Sequence, residues 1–372
     1  MKTLILTCNT GGGHNSTSSA IKQAFENDGL ECDVADALSF ISAQLSKIIS
    51  KGHAQVYRYV PKAFSGGYSF LQTRDSEAKS GNGNVLAIKS IGTGAYKLHR
   101  FLEKGQYDHV ICAHVISAVM MTTVLQKYGR NVSASFVDTD YTCPPLLRDC
   151  DVDIYFIPHE GLVDEFIEAG LPKDRIVPVG IPISSDYRAR TPKDTAKMNL
   201  GIDPKKHNVL LMGGSMGCGP VDDLVPKILA ALPEDCILSV ICGTNKKLFT
   251  ALSKLKNPNL HIYEYTKKIP ALMDSAQMLI TKPGGISISE AATKNLPLLL
   301  LDVVGGCETQ NLNFFVKNGW AQETTTKTAA QDCAMLISNQ VELDRRREAL
   351  NSAFSRDVAM DICHFCIGIN VS

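Results

Sequence analysis

The sequence predicts an α/β protein built as two parallel-sheet domains, and three observations lead there. Strand-like apolar segments alternate with helix-like segments from one end to the other, which lays strands in parallel beneath covering helices. The chain has 372 residues, more than one hydrophobic core usually organises. Near the middle, Gly180-Ile181-Pro182-Ile183 and the polar stretch Ser184–Asp194 with Pro192 interrupt the rhythm as a domain linker does.

In order, Lys2–Cys8 reads as a buried strand, followed by the polar loop Asn9–His14 and a helix from about Asn15 to Asn27. Further strands are expected at Glu31–Asp36, Asp108–Ala113, Val132–Val137, Val152–Ile157 and Ile176–Val179. The second series offers strands at Asn208–Met212, Ile237–Cys242, Leu260–Tyr263, Met278–Ile280 and Pro297–Leu301. Its helices are expected near 221–231, 245–255, 286–294, 308–318, 326–338 and 340–354. A closing helix, about Arg356–Phe365, is placed to cross back to the first domain. Between Lys51 and Asn84 aromatics, glycines and basic residues mix without periodicity; a stretch of that length serves either function or an ordinary surface insertion.

Composition narrows the function classes. Hydrophobic residues make up 44% and charged residues 20%, ordinary for a globular chain. The 38 basic and 38 acidic side chains cancel, which argues against a nucleic-acid binder. The balance is uneven: 46–104 holds 10 Lys and Arg against 3 acids, about +7, leaving about −7 elsewhere. Such a region can attract an anionic surface even when the whole molecule is neutral. The apolar run Leu4–Leu6 ends too early for a secretory signal, and no stretch is long enough to span a bilayer. The 12 cysteines are scattered, several (Cys8, Cys112, Cys236, Cys242) in apolar runs, which suits a reducing cytoplasm. Cys363-His364-Phe365-Cys366 lacks a second ligand pair, so it reads as structural, with no metal expected. Oligomeric state leaves no mark in the sequence.

Five motifs can carry chemistry. Thr10-Gly11-Gly12-Gly13-His14 follows the first strand; its glycines let backbone approach a ligand, and it lacks the Lys-Ser/Thr of a Walker loop. His14, the first side chain beyond them, can accept a proton from an acceptor hydroxyl, or else cap the helix and hold the loop. Gly213-Gly214-Ser215-Met216-Gly217 repeats the strand–glycine–helix pattern in the second half and either exposes amides and the Ser215 hydroxyl to a diphosphate or is a bare tight turn. Thr281-Lys282-Pro283-Gly284-Gly285, with Ser287 and Ser289, opens another helix; Glu290 inside it can accept hydrogen bonds from ribose hydroxyls or stand as a surface acid. In Gly305–Asn311, Glu308 and Asn311 offer the acceptor and donor groups that read hexose hydroxyls, or cap a helix. Asp138-Thr139-Asp140 is expected as an acceptor-side polar contact or a loop former rather than a metal site.

Taken in order, Gly11–His14, Gly213–Gly217, Thr281–Gly285 with Glu290, and Gly306–Asn311 resemble the monogalactosyldiacylglycerol synthase and processive diacylglycerol glucosyltransferase family, over nearly the whole chain. That family is related to the peptidoglycan lipid-intermediate glucosaminyltransferase. The resemblance implies a GT-B architecture, two Rossmann-like doubly wound domains facing across a cleft. Residues 1–182 would take the acceptor, 183–354 the nucleotide sugar, and 355–372 would return to the first domain. It implies an inverting hexosyltransferase moving a sugar from UDP to a lipid acceptor, diacylglycerol, at the cytoplasmic membrane face, peripheral to the membrane, without metal or cofactor. His14 would be the base. Gly13, Gly214, Ser215, Met216, Gly217, Lys282, Gly284 and Gly285 would contact the donor, Glu290 its ribose, Glu308 and Asn311 its sugar. Tyr265, within Tyr263–Thr266, would lie at the uracil, and Asp138 and Asp140 on the acceptor side. The irregular basic segment would correspond to the family's membrane-docking region. The chain departs from the family at Cys307, where many relatives carry glutamine, at Val303-Val304-Gly305, and at Tyr141-Thr142-Cys143-Pro144-Pro145, where a histidine is common. Alternatives on the same fold are a soluble or polyprenyl-linked acceptor, or a non-catalytic UDP-sugar sensor.

Overall fold

The computed structural model describes residues 1–8, 12–41, 94–302 and 306–371. Of the expected membrane region 46–104, only 94–104 falls within them; Asn9–Gly11 and Val303–Gly305 also lie outside the described residues. The chain divides into two units. Unit 1 comprises Met1–Ser184, Gly305–Cys307 and Arg356–Ser372; unit 2 comprises Ser185–Val304 and Glu308–Ser355.

Unit 1 runs β1 (Lys2–Thr7), α1 (Gly12–Asn27), β2 (Glu31–Asp36), α2 (Ala37–Ile41), α3 (Ala95–Gly105), β3 (His109–Cys112), α4 (Val115–Tyr128), β4 (Ser133–Val137), β5 (Ile154–Ile157), α5 (Val163–Glu168) and β6 (Ile176–Pro178). Its six strands are all parallel, in the order β2-β1-β3-β4-β5-β6. Leu4, Ile5 and Leu6 of β1 are fully buried, as are Val110, Ile111 and Cys112 of β3, because helices cover both faces of a parallel sheet.

Unit 2 runs α6 (Lys193–Asn199), β7 (His207–Met212), α7 (Val221–Ala231), β8 (Cys236–Ile241), α8 (Lys246–Leu252), β9 (Leu260–Tyr263), α9 (Ile269–Ser275), β10 (Ala276–Thr281), α10 (Gly285–Thr293), β11 (Leu298–Leu301), α11 (Cys307–Lys317), β12 (Ala321–Thr324), α12 (Ala329–Ile337) and α13 (Gln340–Ala353). Its sheet is again six-stranded and parallel, ordered β12-β11-β10-β7-β8-β9. Every strand expected from the sequence is present. The sixth strand here, β12, was not expected: Gln322 and Glu323 break its apolar run, which an outermost strand tolerates because one edge faces no partner strand.

The division between the units falls at Ser184/Ser185, within the stretch expected as a linker, and from Ser185 onward the chain packs onto unit 2. Arg190 donates to the Thr293 carbonyl at 3.0 Å and Lys193 to the Ala276 carbonyl at 2.7 Å, while Lys294 reaches the Ala189 carbonyl and pairs with Asp274 at 2.8 Å. The last helix, α14 (Val358–Val371), packs in the unit 1 core, where Ala359, Ile362, Cys363 and Cys366 meet Ala20, Ile21 and Phe25 of α1. Cys363 and Cys366 are thus core side chains one helical turn apart, and burial holds both thiols above their usual range.

Each sheet has one point where strand order reverses: between β1 and β3 in unit 1, and between β7 and β10 in unit 2. In open parallel sheets the ligand crevice lies beyond the carboxyl ends of the strands at such a point. The glycine motifs follow β1, β7 and β10.

Candidate functional site

In unit 1 the chain leaves β1 and enters α1 at Gly12-Gly13, so His14 stands in the first helical turn. Its Nδ1 lies 3.1 Å from the Ala113 carbonyl, just beyond β3, and 3.3 Å from the Thr139 hydroxyl, just beyond β4. Three neighbouring strand ends therefore converge on one imidazole. A proton on Nδ1 donates to the Ala113 carbonyl, and the neutral ring then carries its basic lone pair on Nε2, the tautomer a proton acceptor needs. The His14 main-chain carbonyl accepts from the Ser18 hydroxyl at 2.8 Å, tying the residue to the helix below.

A second histidine, not singled out in the sequence, stands beside it. The rings of His14 and His114 meet edge to face, centroids 4.6 Å apart at 75°. His114 is the N-cap of α4, its Nδ1 accepting from the Ile116 amide at 3.1 Å. The sequence signal for it was slight: one histidine after an apolar strand.

Asp138 is buried, and its Oδ1 accepts from the amides of Thr139 at 2.7 Å and Asp140 at 3.2 Å. Burial, reinforced by the neighbouring Asp140 charge, holds its carboxyl well above the usual carboxylate range. Asp138 shapes the loop that presents Thr139 to His14. The next loop, where the chain departs from the family, is pinned by Glu165, which accepts from the Thr142 hydroxyl and the Cys143 amide, both at 2.7 Å. Among the described residues no group of three His, Cys, Asp or Glu side chains is arranged to hold a metal ion.

In unit 2 the glycine loop after β7 closes on itself. The Gly217 amide donates to the Gly214 carbonyl at 3.0 Å and the Cys218 amide to the Gly213 carbonyl at 2.8 Å. The turn is clamped to the loop after β8, where Thr244 donates its amide to the Ser215 carbonyl at 3.0 Å and Asn245 its side-chain amide to the Gly217 carbonyl at 2.9 Å. Gly217 has φ +58°, and a Cβ there would stand 2.0 Å from the Cys242 carbonyl oxygen, so only glycine fits. Ser215 and Met216 form the tip.

Across the switch point, Thr281 ends β10 and donates its hydroxyl to the Met212 carbonyl at 3.0 Å, tying together the ends of β10 and β7. Lys282 follows; its Nζ pairs with Glu308 at 2.5 Å, and a Cβ on Gly214 would meet its Cε at 3.1 Å. The β7 loop, the β10 loop and the start of α11 thus share one locality. Gly284 caps α10 without a side-chain hydrogen bond, and no acid stands in that helix's first turn, so its partly positive amide end is uncompensated by the helix's own residues. Asn311 is fully buried, and its amide donates to the Pro283 carbonyl at 2.9 Å, holding the loop that Gly284 and Gly285 continue.

Glu290, further along α10, meets the hydroxyl of Tyr187, a buried residue from the stretch that had read as a linker. Burial pushes the Glu290 carboxyl up to about 8, while the Tyr187 hydrogen bond pulls the other way. Burial, with the Glu290 charge beside it, raises the Tyr187 hydroxyl well above its usual range. Tyr265, in the loop after β9, is exposed.

The chain is similar to known proteins. Residues 14–183 match the family model for monogalactosyldiacylglycerol (MGDG) synthase, and 208–324 the model for the glycosyltransferase family 28 C-terminal domain. Over 359 residues the chain is 28% identical to a processive diacylglycerol beta-glucosyltransferase of Staphylococcus saprophyticus, covering 95% of this chain and 88% of that one. A protein of the same description from Bacillus cereus is 27% identical over 367 residues, covering 95% and 90%. Among solved structures, MurG of Acinetobacter baumannii superposes with a TM-score of 0.65 over 98% of both chains at 12% identity. The S. aureus MnaA–UDP co-structure gives 0.64 over 100% of this chain and 98% of the other, at 14% identity. With its two doubly wound parallel sheets, the fold is GT-B.

Proposed function

We propose that this chain, whose residues 14–183 match the MGDG synthase model and 208–324 the family 28 C-terminal model, is a glycosyltransferase that moves a hexose from a UDP-sugar to the free hydroxyl of diacylglycerol, inverting the anomeric carbon. The observation that carries the reading is the hydrogen bond from His14 Nδ1 to the Ala113 carbonyl, because it sets the tautomer of a general base. His14 Nε2 takes the proton of the acceptor hydroxyl as that oxygen bonds to the anomeric carbon. The bond from that carbon to the β-phosphate oxygen breaks on the opposite face, and UDP leaves with the electron pair.

Unit 2 receives the donor. Charge growing on the leaving diphosphate meets the Ser215 turn, the amide end of α10 from Gly284 and Gly285, and the Lys282 ammonium; such fixed donors stabilise it without reorganising, and the reaction runs without a metal. Glu290 accepts from the ribose hydroxyls, Glu308 meets the sugar, and backbone beside Tyr265 meets the uracil. The names of the curated relatives support diacylglycerol as acceptor, and the UDP co-structure of MnaA supports a uridine donor.

The acceptor is met at the cytoplasmic face of the membrane, with the basic region 46–104 against anionic lipid. Its described end supports this: α3 exposes Lys97, Arg100 and Lys104 beside Tyr96 and Phe101. No helix among the described residues is long and apolar enough to cross a membrane. Incubating the protein with each of several labelled UDP-sugars and a membrane lipid extract tests the reading. Label in a chloroform-soluble glycolipid is expected with one of them; label confined to water-soluble products would end the lipid assignment.

A further inference from the structure

We propose that His114 is a positioning residue for this reaction, holding the His14 imidazole in the plane from which Nε2 meets the acceptor hydroxyl. The inference rests on His14 being the base. The contacts of Nδ1 with the Ala113 carbonyl at 3.1 Å and the Thr139 hydroxyl at 3.3 Å hold that corner of the ring. The edge-to-face contact with His114, at 4.6 Å and 75°, is a preferred aromatic geometry and bears on the plane in which the rest of the ring lies.

His114 can do this because it is itself held. Its backbone is extended, at φ −161° and ψ 145°, as an N-cap requires. Its ring accepts the Ile116 amide, and its carbonyl accepts from the Ser117 hydroxyl at 2.6 Å and the Ala118 amide at 3.1 Å. The Ala113 amide in turn donates to the Leu6 carbonyl of β1 at 3.1 Å, so the two-residue segment is anchored to the strand that leads to His14. Ala113 sets the tautomer of the base, and His114 sets its plane.

The chemistry at His114 favours the same role. With Nδ1 committed as an acceptor, its proton sits on Nε2, and protonating Nδ1 would forfeit the helix cap. Capping alone does not call for an imidazole: Ser, Thr, Asp and Asn are the usual N-caps.

The test compares His114→Asn, which keeps a capping oxygen and removes the ring, with His114→Phe, which keeps a ring and gives up the cap. A base held loosely by even an ångström loses rate steeply, so His114→Asn is expected to lower kcat roughly ten- to hundredfold while UDP affinity holds within about twofold. His114→Phe should recover much of that rate even if its melting temperature falls. In a His14→Ala background His114→Asn should cost nothing further, since residues acting as a unit are not additive. A His114→Asn enzyme with native kcat, an equal loss in both variants, or the same loss repeated on top of His14→Ala would each overturn the proposal. Failure of the base assignment itself is distinct: His14→Ala alone would then retain turnover.

Discussion

In unit 1, α1 begins at Gly12, and the first side chain beyond its glycines is an imidazole gripped by the ends of two further strands. In unit 2 the loop after β7 turns back on itself, clamps to the loop after β8, and offers backbone at Ser215 and Met216 before α7 begins. The sheets share a winding pattern, six parallel strands with one reversal of order. What differs is what stands at the reversal: two histidines in one unit, a lysine–glutamate pair and the amide end of α10 in the other. One winding plan thus serves two tasks. Proton transfer needs one titratable atom with its tautomer fixed, whereas a leaving diphosphate needs several fixed donors and a positive charge.

The largest effect expected from this division is on turnover. His14→Ala should lower kcat by about 10²–10⁴-fold, the usual cost of a lost general base, measured with saturating UDP-sugar and lipid acceptor. Next is Lys282→Met, which keeps the stem and removes the ammonium. A hydrogen bond to a charged group is worth about 1.5–3 kcal/mol, so the Kd for UDP should rise roughly ten- to hundredfold by calorimetry. Unchanged affinity would confine Lys282 to its pairing with Glu308.

The smallest effect concerns pH. Burial pushes the Glu290 carboxyl up to about 8, and it is proposed to accept ribose hydrogen bonds as the carboxylate, so UDP-sugar affinity should climb as pH rises through about 8 and level off beyond it. The Tyr187 hydrogen bond favours the carboxylate, so Tyr187→Phe should move that climb to higher pH and weaken binding at pH 7.5 by roughly two- to tenfold. A 2′-deoxyribose donor, lacking one of the hydroxyls, should feel the substitution less. Equal weakening of both donors would sever Tyr187 from the ribose.

Sequence made the fold legible where periodicity was strong. Continuous apolar runs such as Leu4–Leu6 and Leu298–Leu301 read as strands buried on both faces, and the glycines in the loops that follow them mark where backbone turns before the next helix. It failed at β12, whose Gln322 and Glu323 sit on the sheet's outer edge, and at Tyr187, hidden in a polar stretch whose packing is tertiary. The glycine motifs and His14 could be found from order along the chain. The contacts that make them a site could not: Ala113 lies 99 residues from His14, and Glu308 lies 26 from Lys282. Asn311 shows the converse, a polar side chain whose motif suggested sugar contact and whose amide in the fold braces Pro283.

The division of labour is tested most directly by measuring UDP affinity and kcat side by side for His14→Ala and Lys282→Met. The account predicts opposite signatures: near-native UDP binding, within about twofold, with turnover almost gone in the first, and weakened binding with much of the saturated turnover kept in the second. A His14→Ala enzyme that turned over normally, or lost UDP affinity in step with its rate, would contradict it.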